Sequence, residues 1–320
     1  MTASAVSGFP RGWFMIFFSK ELEVGQTRAM RYFGQDLAAW RGEDGEVRVL
    51  DAYCPHLGAH LAIGGKVVGT TIQCPFHAWR FCDDGTCVEI PYAQKIPPRA
   101  KVRAWPVREK NGIVMIWHDP QGRAPDFDIP DIPGYGSDKW LPWSTSQYSI
   151  KTHPREIVDN LADRSHFPRV HNTAIDEFEF TVDGHTATQR VKGRAFLAKG
   201  GVDPFESTTT YHGPGYLLMR MEGALSNWML FAHTPIEENL LDLRMAVTLK
   251  VMGDRATTES YVGLYLENLK QGFEDDIKIW EHKVYREPAL LCEGDGPIGK
   301  LRKWYRQFYT TGEPAAAEAR

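Results

Sequence analysis

The sequence is short of three features: long apolar runs, an excess of basic residues, and cysteines beyond a handful. The longest apolar run near the N-terminus, residues 13–18, is far shorter than the roughly 20 apolar residues that span a bilayer. Residues 1–11 lack the basic start and the apolar centre of a signal peptide. With a net charge of −4 and no basic cluster, the chain gives no reason to expect a nucleic-acid partner. We therefore expect a cytoplasmic protein without a transmembrane segment.

Two short segments each combine a cysteine with a histidine. The first is Cys54-Pro-His56, and the second, seventeen residues later, is Cys74-Pro-Phe-His77. Thiolates suit iron–sulfur chemistry, and imidazoles in place of two thiolates raise the reduction potential of a two-iron cluster. The doublets therefore predict that Cys54 and Cys74 hold one iron while His56 and His77 hold the other.

Zinc is the alternative occupant, since it takes the same types of ligand. Zinc fingers usually pair cysteine with cysteine and histidine with histidine, whereas each doublet here is mixed, and this order favours the iron–sulfur cluster. The other three cysteines, Cys82, Cys87 and Cys292, are expected to be free thiols in a reducing compartment.

A second set of metal ligands is predicted at residues 153–171. Asp159, Asp163 and His166 are spaced four and three residues apart, which puts them on one face of a predicted helix. His171 would point away from that face in an unbroken helix, but Pro168 predicts a break that lets both histidines turn to one metal ion. Ordinary surface positions are the alternative for such a pair, and the doublets upstream favour the metal site.

A third ligand is needed, because two histidines and one carboxylate form the facial triad that leaves open positions on iron. Near the C-terminus, apolar residues recur every three or four positions and predict one buried helical face: Leu266, Leu269, Phe273, Ile277, Trp280 and Val284. Asp276 borders this face, where an unpaired carboxylate is costly, whereas Asp275 points towards solvent. We predict Asp276 as the ligand; an ion pair with Lys278 or Lys283 is the alternative.

The chain is predicted to divide into two domains, 1–135 and 136–320. The length suits two domains, and a proline-rich stretch predicts the linker between them. That stretch contains Pro120, Pro125, Pro130 and Pro133.

Strands are predicted in both domains. In the first they are expected at residues 28–33, 37–41, 47–50, 102–107 and 112–118. In the second they are expected at residues 143–151, 186–191, 216–221 and 242–251. The later segments predict a curved antiparallel sheet, with the helix of Asp276 packed across it. The tail from residue 311 is expected to be frayed.

These motifs resemble those of a known family. Both doublets, with their flanks, resemble the cluster-binding loops of Rieske non-haem iron oxygenases, and residues 153–171 resemble the mononuclear iron motif of that family. The segments that begin at Asp276, Pro288, Glu293 and Leu301 are similar to those of 3-ketosteroid 9α-hydroxylase oxygenase subunits and their sterol-desaturase relatives. The third ligand of the family matches Asp276 in motif position.

The resemblance implies an α+β chain, with an N-terminal all-β Rieske domain followed by a helix-grip catalytic domain. It also implies a [2Fe-2S] Rieske cluster, a mononuclear Fe(II), O2 as co-substrate, and a homotrimer. Electrons would come from NADH through a separate reductase with flavin and iron–sulfur centres, with or without a ferredoxin.

Two further residues are assigned roles near the iron. Asp163 is expected to reach the outer N–H of His166 and, as the resemblance implies, to contact His77 of the partner subunit, which makes it the bridge between the two centres. Asn160 is expected to hydrogen-bond near the iron. The apolar residues Phe167, Met219, Met221, Trp228 and Phe231 are expected to line part of the pocket, with plain core packing as the alternative.

The predicted function is a monooxygenase that hydroxylates a hydrophobic polycyclic, steroid-like substrate. A smaller aromatic or heterocyclic substrate, hydroxylated or demethylated, is the alternative, because the chain is shorter than is common in the family and residues 168–170 are rather polar. A Rieske electron carrier would not need His166, His171 and Asp276. A lipid-binding protein with a vestigial metal site would not need the complete set of seven ligands.

Overall fold

The computed structural model describes residues 8–196, 201–223 and 226–309; the tail from residue 311 lies outside them. The chain forms two compact units: an N-terminal unit, Trp13–Asp126, and a C-terminal unit that begins at Phe127. The C-terminal unit also includes the described residues before Trp13, where the Arg11 N–H donates to the Phe308 carbonyl at 2.7 Å. The division falls inside the proline-rich stretch, whereas the sequence suggested residue 135.

The N-terminal unit is built from short strands. They are β1 Gly12–Phe18, β2 Thr27–Tyr32, β3 Gln35–Arg41, β4 Val47–Asp51, β5 Lys66–Val68, β6 Thr71–Gln73, β7 Arg80–Phe81, β8 Cys87–Glu89, β9 Ala104–Trp105, β10 Val107–Lys110 and β11 Ile113–His118. They form three sheets with the orders β1-β11-β10, β2-β3-β4-β9 and β5-β6-β7-β8. Its described residues contain no α-helix, and the prediction of an all-β first domain is confirmed.

Two details of this unit differ from the prediction. The apolar run at residues 13–18 is part of β1, whose seven residues are all buried, so it lacks the alternation that marks a half-buried strand. The strand expected at residues 102–107 is two strands, β9 and β10, interrupted at Pro106. Proline has no N–H to donate, and only its carbonyl is used, by the Trp117 N–H at 2.9 Å.

The C-terminal unit contains one large antiparallel sheet with the order β12-β18-β17-β16-β15-β14-β13. Its strands are β12 Ser144–Ile150, β13 Thr173–Asp183, β14 Thr186–Phe196, β15 Val202–His212, β16 Tyr216–Glu222, β17 Asn227–Glu237 and β18 Leu240–Leu249. Its helices are α1 Pro154–Val158, α2 Phe167–Val170, α3 Arg255–His282 and α4 Ile298–Tyr305. This arrangement confirms the predicted fold class. No helix in the described part of the chain is long and apolar enough to cross a membrane.

Helix α3 packs on the sheet through the predicted apolar stripe. Leu266 lies in a cluster with the sheet residues Met229 and Met245, and Leu269 and Phe273 pack against that cluster. The N-terminus of the helix is capped by Asp254, whose carboxylate accepts a hydrogen bond from the Thr257 N–H at 2.8 Å. The helix ends at His282, so the inclusion of Val284 in the stripe was wrong, and that side chain is exposed.

The helix predicted to carry Asp159, Asp163 and His166 on one face was also wrong. Helix α1 ends at Val158, a single 3₁₀ turn covers Asp159–Leu161, and an irregular loop leads to His166 before the short α2 begins. Within that loop, the Asp163 carboxylate accepts a hydrogen bond from the Ser165 N–H at 2.9 Å. A side chain that bonds the backbone two residues ahead competes with the helical hydrogen bonds, and this explains the break.

Candidate metal centres

The two cysteine–histidine doublets lie on loops with the same backbone closure. In the first loop, the Cys54 N–H donates to the Ala59 carbonyl at 2.9 Å and the Gly58 N–H donates to the Cys54 carbonyl at 3.0 Å. In the second loop, the Cys74 N–H donates to the carbonyl five residues later at 2.8 Å, and the Ala78 N–H donates to the Cys74 carbonyl at 3.2 Å. The closing residues, Gly58 and Ala78, have φ of +76° and +58°. This left-handed turn suits glycine and is unusual for alanine.

The closure brings the four predicted cluster ligands together. The ring centroids of His56 and His77 are 4.6 Å apart, and the thiols of Cys54 and Cys74 are buried. Both histidines have a buried Nδ1 atom without a hydrogen-bond partner among the described residues. Such atoms are rare because they lose water without compensation, and metal ligation would satisfy them. The residues present therefore fit a cluster bound through two sulfur and two nitrogen atoms.

Burial raises the pKa of the Cys54 thiol to about 12, with the neighbouring Cys74 acting in the same direction. A thiol binds metal as the thiolate, and a bound cation supplies the positive charge that stabilises this form.

Aromatic side chains support the cluster loops, and the sequence analysis gave them no role. The Trp79 ring stacks on the His56 ring with a centroid distance of 4.7 Å and an interplanar angle of 7°. Its indole N–H donates to the Tyr92 hydroxyl at 2.8 Å. Phe76 lies against His77 at 3.8 Å between centroids. Their positions next to the doublets in the sequence were the signal from which this supporting role could have been predicted.

The second centre joins α3 to the histidine segment. Ligand atoms of His166, His171 and Asp276 all lie within 4.8 Å of one another, and His171 Nε2 is 3.3 Å from Asp276 Oδ2. The Asp276 carboxylate is buried. A buried carboxylate beside two imidazoles fits the facial triad of non-haem iron sites.

Nearby lysines do not provide the alternative ion pair for Asp276. Among the described residues, Lys278 pairs with Asp275 at 3.0 Å and Lys283 pairs with Glu156 at 3.1 Å. The Asp275 side chain is 46% exposed, which agrees with the expectation that it faces solvent.

His166 is oriented by a backbone carbonyl. Its Nδ1 lies 2.7 Å from the Asp163 carbonyl oxygen, whereas the nearer carboxylate contact, to Asp163 Oδ2, is 3.8 Å long. An Nδ1–H that donates to the carbonyl leaves Nε2 free for a metal. The expectation that the Asp163 carboxylate takes this N–H was therefore wrong, because Asp163 lies in a loop and not one helical turn before His166.

The Asp163 carboxylate instead accepts hydrogen bonds from the Ser165 hydroxyl at 2.8 Å and from the backbone N–H of His166 at 3.2 Å. Burial raises the pKa of Asp163, but the nearby His166 imidazole and the hydrogen bonds from Ser165 outweigh it and leave the pKa below its usual value.

Asn160 lies directly beside the third predicted ligand, Asp276. Its amide Nδ2 donates to Asp276 Oδ1 at 3.2 Å, and its Oδ1 accepts from the Trp280 indole N–H at 3.3 Å. The sequence analysis expected Asn160 near the iron but assigned Trp280 to the apolar face only. The spacing of four residues between Asp276 and Trp280 on one helix was the missed signal.

Two segments that are distant in sequence contact the histidine segment. The Arg302 guanidinium binds both carboxylate oxygens of the buried Asp159, at 3.0 and 2.6 Å. The shared helical face proposed for Asp159 is therefore wrong, since this side chain turns to α4. Close by, a Cβ on Gly296 would lie only 2.2 Å from the Ala162 carbonyl oxygen. Sequence alone offered no signal for either contact.

An apolar surface lies between α3 and the sheet. Met219, Met221 and Phe231 pack against the Leu266 cluster, and Phe167 contacts both histidine rings, with centroid distances of 4.4 and 5.9 Å. The inclusion of Trp228 was wrong. Trp228 lies three residues before Phe231 on β17, so the two side chains point to opposite faces of the strand. On its own face, Trp228 has Arg220 at 5.4 Å from its ring.

Solved structures share this fold. A dicamba monooxygenase bound to dicamba superposes with a TM-score of 0.75 at 20% identity, covering 95% of this chain and 98% of that one. NdmA from Pseudomonas putida CBB5, in complex with caffeine, gives a TM-score of 0.72 at 16% identity, covering 96% and 97%. At this identity the likeness concerns the fold alone.

Sequence relatives are closer. The 3-ketosteroid-9-alpha-monooxygenase oxygenase component of Rhodococcus rhodochrous is 38% identical, over 97% of this chain and 84% of its own length. The protein of that name from Mycobacterium tuberculosis is 32% identical, over 94% and 82%. Cholesterol 7-desaturase nvd 1 of Ciona intestinalis is 30% identical, over 96% and 70%.

Family models match both parts of the chain. The Rieske [2Fe-2S] domain matches residues 12–106, and the 3-ketosteroid 9α-hydroxylase C-terminal domain matches residues 116–309. The second match alone covers more than half of the chain, and the relatives extend over almost all of it. The chain belongs to the family of Rieske-type 3-ketosteroid 9α-monooxygenase oxygenase components.

Proposed function

We propose that this protein is the oxygenase component of a two-component monooxygenase that hydroxylates a C–H bond of a steroid-like substrate. The observation that carries the proposal is the meeting of His166, His171 and Asp276 beside an apolar surface, in a chain that also has the four Rieske ligands. An electron carrier or a lipid-binding protein has no need of both ligand sets.

The residues divide the work between the two units. Cys54, His56, Cys74 and His77 would hold the [2Fe-2S] cluster, which passes electrons one at a time. These electrons would come from NADH through a separate flavin and iron–sulfur reductase, with or without a ferredoxin. His166, His171 and Asp276 would hold a mononuclear Fe(II), which supplies the activation of O2 through its open positions. The overall reaction takes one O2, two electrons and two protons, and it yields the hydroxylated substrate and water.

The apolar surface supports a rigid hydrophobic substrate. Met219, Met221 and Phe231 of the sheet face Leu269 and Phe273 of α3, and burial of apolar area would provide most of the binding energy. Because Asp276 is also on α3, such a substrate would lie along the helix with one carbon near the ligand group.

A polar group lies further along the same helix. The Tyr265 hydroxyl accepts a hydrogen bond from the Asn227 amide at 3.0 Å, inside the apolar surroundings. Tyr265 precedes Asp276 by eleven residues, or about 16 Å along the helix axis. This separation suits a long substrate that has a polar group at the end remote from the reacting carbon.

The finer parts of the proposal concern assembly and location. In a homotrimer, Asp163 would connect the iron site with His77 of the partner subunit. The Asp163 side chain remains partly exposed while its carbonyl orients His166. A cytoplasmic location fits the NADH-dependent reductase and the free thiols of Cys82, Cys87 and Cys292.

The test is a turnover assay with purified protein, a surrogate reductase, NADH and a panel of substrates. A 3-ketosteroid should accelerate O2 uptake that is coupled to product, and the His166→Ala variant should abolish this uptake. Absence of turnover with every steroid, together with turnover of a small aromatic or a heterocycle, would overturn the steroid assignment and favour the alternative.

Desaturation is a second candidate outcome, because one relative over nearly the full chain is named a cholesterol 7-desaturase. Mass spectrometry of the product separates the two reactions. Hydroxylation adds one oxygen atom to the substrate, whereas desaturation removes two hydrogen atoms.

A further inference from the structure

The side chain of Asn160 is held between two residues of α3. Its Nδ2 donates to Asp276 Oδ1 at 3.2 Å, and its Oδ1 accepts from the Trp280 indole N–H at 3.3 Å. Asp276 and Trp280 are one helical turn apart, so the amide bridges two neighbouring positions on one face of the helix.

The indole N–H and the Asp276 carboxylate together fix which way the amide points. The two ends of an asparagine amide have nearly the same shape, but one end only donates and the other only accepts hydrogen bonds. An indole N–H is a donor and cannot accept. It therefore selects the oxygen end of Asn160 and leaves the NH2 end facing the Asp276 carboxylate. Without the indole N–H, only the hydrogen bond to Asp276 would hold the amide, and the side chain would be freer to turn away from the carboxylate.

This orientation distinguishes the two carboxylate oxygens of Asp276. Oδ1 is engaged by the Asn160 amide, whereas Oδ2 lies 3.3 Å from His171 Nε2, among the ligand atoms. We propose that Trp280 is a positioning residue that acts through Asn160 to direct only Oδ2 of Asp276 to the metal. The inference rests on the proposed iron site. A carboxylate that binds through one oxygen leaves more of the coordination sphere open.

Both partners of the amide are themselves held in place. The Trp280 ring is buried and meets Phe273 edge-on, with 5.4 Å between ring centroids. Asn160 follows Asp159, whose carboxylate is bound by Arg302. The alternative to a positioning role is that Trp280 only packs in the core beside Ile157, Leu241 and Leu243.

The test compares two substitutions that each remove a buried indole N–H. Trp280→Phe removes the donor to Asn160. The control is Trp304→Phe, since the Trp304 N–H donates to the Gly184 carbonyl at 3.0 Å and not to a side chain that contacts a predicted ligand. Both variants should lose similar stability in urea unfolding. Only Trp280→Phe should release Fe2+ to a chelator faster, by roughly 10-fold, while the cluster absorbance stays unchanged.

A double-mutant cycle with Asn160→Ala then separates positioning from packing. If Trp280 acts through Asn160, its substitution should change the Fe2+ release rate little in the Asn160→Ala background. If the two effects multiply, or if Trp280→Phe releases iron at the wild-type rate, the positioning role is overturned while the proposed function stands. A wild-type protein that binds no Fe2+ beyond its cluster overturns both. Visible absorption of Co2+ bound at the site gives an independent reading, and it should change in Trp280→Phe and not in Trp304→Phe.

Discussion

The two candidate centres are built in different ways. The predicted cluster ligands all fall between Cys54 and His77, on two loops that close through their own backbone hydrogen bonds. The predicted ligands of the second centre include His166 and Asp276, which are 110 residues apart in sequence. They meet only because α3 packs across the sheet and beside the histidine segment.

The difference predicts what each centre depends on. The geometry of a loop with local closure is sensitive to residues inside the loop and tolerant of changes elsewhere. A centre assembled from distant segments also depends on residues that do not bind the metal. Examples are Arg302, which binds the Asp159 carboxylate, and Gly296, which lies against the Ala162 carbonyl. Substitutions in one centre should therefore leave the other intact.

The largest expected effect comes from removing the carboxylate ligand. Asp276→Ala should lose the mononuclear iron and reduce activity to background, because two histidines alone bind Fe2+ weakly, while the cluster absorbance remains. Asp275→Ala, the neighbouring control, should keep both. Iron analysis should find one fewer iron atom per chain only in the first variant, and the reverse pattern would contradict the assignment of the ligand.

Asp163→Asn should separate iron binding from electron delivery. Because the carbonyl and not the carboxylate of Asp163 orients His166, we expect the variant to retain its iron, yet multiple turnover should fall by roughly 100-fold. Rapid mixing of the reduced protein with substrate and O2 measures the rate of cluster oxidation. Asp176→Asn, which breaks the exposed pair with Arg194, is the control and should have little effect. A wild-type oxidation rate in Asp163→Asn would remove the bridging role.

His77→Cys changes the local centre alone. A two-iron cluster should persist, but its reduction potential should fall by on the order of 100 mV or more, because a thiolate replaces a neutral imidazole. Redox titration followed by absorbance measures the shift, and Fe2+ bound by the second centre serves as the internal control. An unchanged potential would exclude His77 as a ligand.

Gly296→Ala addresses remote support of the second centre. The new Cβ would meet the Ala162 carbonyl, so we expect a loss of about 3 kcal/mol in the free energy of unfolding and faster loss of iron. Gly294→Ala is the matched control. Gly294 also has a positive φ, but no described atom lies within 4 Å of its Cβ position, so the expected cost is about 1 kcal/mol. Equal effects in urea unfolding would show that the close approach to Ala162 does not matter.

The smallest effect is a pH dependence of the C-terminal unit. Burial lowers the pKa of His153 to about 4, and Arg155 adds to the shift. Because the unfolded histidine titrates near pH 6.5, the folded state binds fewer protons below that pH and loses stability as the pH falls towards 4. His153 alone should contribute roughly 1–2 kcal/mol to the loss at pH 5. Urea midpoints at several pH values measure it, and His153→Gln should reduce the dependence without abolishing it, because burial also lowers the pKa of His212 and His233. A wild-type midpoint that does not change between pH 7 and 5 would contradict the prediction.

The choice between Asp275 and Asp276 shows what the local spacing of apolar residues can predict. The apolar spacing of α3 placed Asp276 beside the buried face and Asp275 outside it, and the structure agrees because the helical period is a local property. The same reasoning failed for residues 153–171. There, the Asp163 side chain competes for backbone N–H groups, and the sequence spacing does not reveal which hydrogen bonds prevail.

The amino-acid sequence was enough to predict the ligand types, their grouping into two centres and the class of each unit. Those properties follow from side-chain chemistry, turn residues and short periodicities, all of which depend on near neighbours in the chain. Only the folded chain shows that Arg302 binds Asp159, that Gly296 approaches Ala162, and that the Trp280 indole N–H donates to Asn160. These contacts join segments more than 100 residues apart, and their partners are selected by packing and burial, for which the local sequence carries no signal.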